Sequence, residues 1–281
     1  MTSVTSQART AAGTLRARLG AGGIVCVAAL TVIFVAVFWP TVLAPGDPLA
    51  IHPTEAFLSP RVGHVFGTDE SGRDIYTRVV HGAAASAGVG LAATAIGVGV
   101  GVVLGFAAGL GPDRLDAALG RIIEVLFALP TLVMALLLVA IMGPGVTASV
   151  VAIGAATAPG YARVLRARVR AVVRSDYVRF AHLEATPPWR VFTRHIVPNS
   201  LAPLASIAAV GVAQAIVWVS ALSFLGLGAV PPSPEWGAML NAGRVYIASA
   251  WWMTVFPGLA IVVTALVLTV LGRRLSNGGV R

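Results

Sequence analysis

The chain has 281 residues, of which 57% are hydrophobic and only 11% charged, with a formal net charge of +9. A soluble domain carries about 25% charged residues, so this composition excludes a globule covered by water and points to an all-α membrane protein with lipid as its main solvent. The basic excess does not mark nucleic-acid binding, because it gathers in short segments between apolar runs. All 20 basic residues are arginine. The absence of lysine excludes a P-loop, whose lysine contacts the nucleotide phosphates. Cys26 is the single cysteine and cannot form an internal disulfide.

A bilayer core of about 30 Å needs about 20 apolar residues per helix, and six stretches qualify. An N-terminal segment, residues 1–20, precedes the first span, Ala21 to Leu43. That run is too long for the core of a signal peptide, and Pro45 follows its one plausible cleavage site, Val42-Leu43-Ala44. A segment of residues 44–82 leads to the second span, Ala83 to Leu110. This span carries Gly97, Gly101, Gly105 and Gly109, four apart along one helix face. Such a stripe predicts close packing against another helix, within the chain or in a second subunit. The third span runs from Ile122 to Met142. Near its start Glu124 follows Arg121 by three residues, which predicts a local ion pair.

The turn Gly143-Pro144-Gly145 introduces the fourth span, Val146 to Leu165. Its helix is expected to continue as an arginine-rich stretch to Val173. Ser175 then caps a short helix with Asp176 in its first turn, and Pro187-Pro188 stops it. This helix lies outside the bilayer. Phe180 and Leu183, with Ala181, form exposed apolar knobs suited to a partner's groove. The fifth span, Leu201 to Leu227, carries Gln214, Trp218, Ser220 and Ser223, which either line a polar path or hydrogen-bond between helices. The sixth span is Ala250 to Leu271, ahead of a tail of residues 273–281. Trp236, Trp251 and Trp252 fit an aromatic belt at one membrane edge. The five histidines show no metal-ligand spacing.

Six spans place both termini on one side, and arginine placement chooses the side. The N-terminal segment, the second-third loop, the fourth-fifth segment and the tail hold 16 arginines, against four (Arg61, Arg73, Arg78, Arg244) in the other segments. The arginine-rich side is expected to be cytoplasmic. Both termini and the loop of residues 166–200 then lie inside, and residues 44–82 lie outside.

Four motifs carry a resemblance. The first is Tyr177-Val178-x-x-Ala181, continuing through Pro188-Trp189-Arg190-Val191 to Arg194-His195-Ile196-Val197-Pro198-Asn199-Ser200-Leu201-Ala202-Pro203. The second is Gly67-Thr68-Asp69-Glu70-Ser71-Gly72-Arg73-Asp74. The third joins Leu222-Ser223-Phe224-Leu225-Gly226-Leu227-Gly228 to Pro231-Pro232-Ser233-Pro234-Glu235-Trp236-Gly237. The fourth is Ser249-Ala250-Trp251-Trp252 with Phe256-Pro257-Gly258. In this order the chain resembles permease subunits of ABC importers, closest to the C-type permease of the dipeptide/oligopeptide group, over most of its length. The resemblance implies a type I importer fold, with Tyr177, Arg179, Phe180, Ala181, Leu183, Glu184, Ala185 and Trp189 in or beside the helix that couples to the ATPase. Where the family has Glu-Ala-Ala and later Gly, this chain has Arg179, Phe180 and Ala185. Asp69, Arg73, Asp74, Glu235 and Trp236 are candidates to contact an external binding protein. Gly67 and Gly72 favour a locking role for the first three of these instead.

The expected function is peptide import by alternating access in a bacterial cell membrane. The partners implied are a second permease subunit forming a heterodimer, two cytoplasmic ATPase domains, an external substrate-binding protein, a peptide substrate and the lipid bilayer. No cofactor and no nucleic acid are implied. A permease for nickel or another small ligand shares these motifs. A stand-alone secondary transporter would need charged pairs in mid-span or inverted repeats. An intramembrane enzyme would need a nucleophile and base at membrane depth. The spans are nearly free of charge, carry no mid-span His or Asp, and show no clear repeat.

Overall fold

The structure, a computed structural model, describes residues 25–278. The segment 1–20, the start of the first span and the last three residues of the tail lie outside the described residues. Helix α1 covers Val25–Phe38. Trp39 then leaves the helical region (φ −138°, ψ 60°) before a one-turn helix Pro40–Leu43. The expected unbroken run to Leu43 is thus interrupted, because proline disfavours a helical residue before it.

Helix α2 is Ile75–Leu110 and begins well before the expected Ala83. Asp74 explains the early start. Its Oδ2 accepts from the Thr77 N–H at 2.8 Å, which satisfies an otherwise unpaired donor of the first turn. The segment ahead of α2 therefore ends at residue 74.

The expected third span is two helices, α3 (Asp113–Ala128) and α4 (Thr131–Met142), bent by 95°. Leu129 is extended (φ −77°, ψ 136°), as a residue before proline prefers. Pro130 has no N–H to continue the ladder. Helix α5 runs unbroken from Val146 to Val173 and so extends past the expected span end, as anticipated. Next come α6 (Asp176–Leu183) and an irregular helix built from Pro188–Val191, a π turn Phe192–Ile196 and Val197–Leu201. Helices α7 (Leu204–Phe224), α8 (Trp236–Gly243) and α9 (Trp252–Gly278) complete the described chain. Among the described residues α2, α5, α7 and α9 are long and apolar enough to cross a membrane, and the bent pair α3/α4 makes a fifth candidate.

The glycine stripe of α2 meets α5 of the same chain. A Cβ on Gly101 would lie 2.5 Å from the Tyr161 Cβ, and one on Gly105 would lie 2.8 Å from the Leu165 Cβ. Missing side chains let the two backbones approach, which strengthens dispersion contacts where lipid supplies no hydrophobic drive. Buried residues then fall into three clusters along the bundle. One lies at the α8 end around Ile75, Trp236, Met239 and Trp252. The second is central, around Val139, Ile153, Val219 and Leu222. The third lies at the α6 end around Leu165, Val169 and Val178.

Candidate functional site

Helix α6 is held by one face only. Val178 and Ala181, one turn apart, pack with Leu165, Val169 and Val172 of α5 and with Val191 and Ile196. Ala181 is therefore buried and does not join the exposed knobs. The i, i+3 spacing puts it on the face that meets α5. The opposite face presents Phe180, 64% exposed, and Leu183, 81% exposed, with Tyr177 and Trp189 also exposed beside them. Burying such a side chain is worth about 1.5–3 kcal/mol, and here that burial is not realised within the chain.

The ends of α6 differ from expectation. Ser175 has the extended backbone of an N-cap, but its hydroxyl donates to the Val172 carbonyl and makes no side-chain cap. The helix stops before the prolines. The Thr186 N–H donates to the Ala181 carbonyl at 3.0 Å, and the Ala185 N–H to the His182 carbonyl at 3.1 Å. This pair of bonds closes a helix around a left-handed residue, the position glycine usually takes. Ala185 occupies it at φ +54°. Glu184 is the C-cap and is exposed. Arg179 is exposed, with its guanidinium 3.8 Å from Asp176. Such a surface pair contributes at most about 1 kcal/mol.

The residues expected to meet an external partner are mostly consumed inside the chain. Asp69 Oδ1 accepts the N–H groups of Ser71 and Arg73 at 2.8 and 2.9 Å. Asp69 Oδ2 lies 3.5 Å from Arg73 and 3.7 Å from Arg78. Asp74 caps α2 and lies 3.1 Å from His64 Nδ1. Glu235 is 2% exposed and accepts from the Gly237 and Ala238 N–H groups at the start of α8. Trp236 is 3% exposed, and its Nε1 donates to the Val79 carbonyl. Glu235 and Trp236 therefore offer no surface to a partner. Trp252 is buried as well, donating to the Thr68 carbonyl, so only Trp251 of the expected aromatic belt is exposed. Arg78 was missed in the sequence. Buried in the first turn of α2, it also donates to the carbonyls of Pro48, Pro232 and Ser233.

The four polar positions of α7 divide. Ser220 and Ser223 are buried. The Ser220 hydroxyl donates to Glu235, and the Ser223 hydroxyl accepts from the Ala229 N–H. Both face the segment that follows α7 and stand apart from Gln214. Trp218 packs beside the central cluster. Gln214 lines an interhelical cavity of about 690 Å³ between the α3/α4 break, α5, α7 and α9. Its wall includes Leu126 to Thr131, Thr157, Tyr161 and Arg273. This is space enough for a small solute.

A charge cluster sits between α3 and α5. Asp116 is 6% exposed. Arg166 Nε donates to its Oδ1 at 2.6 Å, Arg170 NH1 donates to its Oδ2, and Arg170 also lies 3.8 Å from Asp113. Two guanidiniums, one on each oxygen, offset the cost of burying the Asp116 carboxylate. The available signal was the i, i+4 spacing of Arg166 and Arg170, which puts two cations on one helix face. By contrast, Arg121 and Glu124 form the expected local pair at 3.8 Å, and both are exposed.

Residues 101–278 match the family described as binding-protein-dependent transport system inner membrane component. The chain is 37% identical over 249 residues to the di/tripeptide transport system permease protein DppC of Pseudomonas aeruginosa, covering 86% of this chain and 82% of that protein. It is 38% identical over 250 residues to the dipeptide transport system permease protein DppC of Escherichia coli K12, with the same two coverages. A chain of the inward-facing MetNI methionine ABC transporter superposes with a TM-score of 0.53 at 16% identity, covering 69% of this chain and 94% of that one. At that identity the likeness concerns the fold alone.

Proposed function

The chain belongs to the binding-protein-dependent transport system inner membrane component family, and we propose that it is the permease subunit that moves di- or oligopeptides inward in an ATP-driven importer. As a multi-pass ABC permease it spans the membrane and is not itself catalytic. The peptide assignment rests on the names of the relatives that the chain resembles over most of its length. The partners in this reading are a second permease subunit, two ATPase domains on the α6 side and a binding protein on the α8 side. Residues 21–43 supply the first of six spans, and both termini lie with α6 in the cytoplasm.

The observation that carries the mechanism is the exposed apolar face of α6. Phe180, Leu183, Tyr177 and Trp189 fit a groove on the ATPase, with Arg179 and Glu184 at its rim. Nucleotide binding can drive transport only if it favours one permease conformation over another, and α6 is the contact through which that preference passes. Gln214, with Trp218 on the same helix, belongs in this reading to the peptide's path, whereas Ser220 and Ser223 hold the far end of α7 in place.

The test is a complete complex reconstituted in vesicles. Phe180→Ser with Leu183→Ser should reduce ATP-driven peptide uptake by at least about tenfold, as expected when two central anchors of an interface are removed. Unchanged uptake, with normal stimulation of ATPase by the binding protein, would sink the assignment of α6.

A further inference from the structure

The Asp116 cluster has no part in the α6 face or in the cavity wall. A carboxylate this buried is costly unless both oxygens are compensated, and here each oxygen receives an arginine. The two arginines stand on successive turns of α5, while Asp116 stands in the first turn of α3. The same length of α5 carries Leu165, Val169 and Val172, which grip Val178 and Ala181 of α6. One segment of α5 is therefore tied to α6 by apolar packing and to α3 by charge. From Asp116, α3 runs on to Leu126 to Leu129, which line the cavity, and it ends at the 95° break. The break interrupts the helical ladder between α3 and α4, so a shift of α3 is not carried into α4 by continuous backbone hydrogen bonds. Gly120 makes room for the contact. A Cβ there would lie 2.5 Å from NH1 of Arg166.

We propose that Asp116 is a positioning residue whose double ion pair makes α3 move as one body with the coupling end of α5, so that displacement of α6 reaches the cavity wall at Leu126 to Leu129. This rests on α6 being the ATPase-coupling helix. Without the pair, α5 and α6 follow the nucleotide while the cavity wall lags behind.

The experiment uses the full complex with its binding protein. Asp116→Asn should keep binding-protein-stimulated ATPase within about twofold of wild type and lower the peptide moved per ATP about fivefold, the scale of a lost coupling contact. Asp116→Glu should restore most of that ratio. Gly120→Ala keeps all three charges and moves only the flexible end of Arg166 while Arg170 still holds Asp116, so it should lower the ratio in the same direction but less than Asp116→Asn. It also carries the test if Asp116→Asn fails to assemble. Uptake and ATPase falling in equal proportion, or neither changing, overturns the proposal.

A second readout needs no peptide. Spin labels at Ala118→Cys and Ala171→Cys in a Cys26→Ser background report the α3–α5 distance in nucleotide-free and ATP-trapped states. The distance should stay constant with Asp116 and differ between the two states in Asp116→Asn. A constant distance in both backgrounds overturns the clamp. A wild-type complex that hydrolyses ATP without taking up peptide would instead overturn the peptide reading and leave the distance test to decide the clamp.

Discussion

Ala185 sits in a left-handed conformation that costs a residue with a Cβ about 1 kcal/mol. Ala185→Gly should therefore stabilise the α6 end and raise the melting temperature of the purified complex. A lower melting temperature would mean that tertiary contacts set this turn. The departure from the family's glycine therefore carries a local backbone cost at this position, whereas Arg179 is exposed beside Asp176 and strains nothing within the chain. Asp69 and Arg78 are a different case, because both are buried and share one site. Removing one partner of a buried pair costs about 3 kcal/mol. Asp69→Ala should therefore unfold the permease at clearly lower denaturant, measured in detergent by intrinsic tryptophan fluorescence. An unchanged midpoint would show that Asp69 is free for a partner after all. The sequence offered both roles for Asp69. Burial of Arg78, which lies outside the motif, separated them.

Helix contacts decide which glycines matter. Gly101 faces Tyr161 at 2.5 Å from its absent Cβ, while Gly99 on the same helix has open space. Gly101→Val should prevent assembly of the complex or destabilise it by about 1–3 kcal/mol, since overpacking at a helix interface forces backbone shifts. Gly99→Val should be silent. Equal effects from the two substitutions, read as yield of folded protein by gel filtration, would refute the α2–α5 packing. Period and small-residue spacing made this stripe legible in the chain, although the stripe did not say which helix it meets. The break at Leu129-Pro130 was less legible. Hydropathy averages across a proline, and Ile122 to Met142 is apolar enough to read as one helix. The local backbone preference before Pro130 overrides that average.

For the whole molecule, the arginine distribution makes a topological statement that can be measured. In a Cys26→Ser background, a thiol at the fully exposed Val62 should react with impermeant maleimide in intact cells, whereas one at Arg174 should react only after lysis. The reverse pattern would invert the protein in the membrane. Low charge, long apolar runs and the absence of lysine determined, from sequence alone, a helical membrane protein that lacks a P-loop. Motif order was enough to point to an importer permease. These properties are sums along the chain or local patterns, so no folding is needed to read them. Tertiary structure alone decided which polar residues are spent. Glu235, Trp236, Ser220 and Ser223 look like surface or path residues in one dimension, yet they become caps and buried bonds once α7, α8 and the preceding segment close on one another. Asp116 lies some 50 positions from the arginines that neutralise it. Only the packing of α3 on α5 brings those charges together, because electrostatics acts through space and sequence separation does not report it.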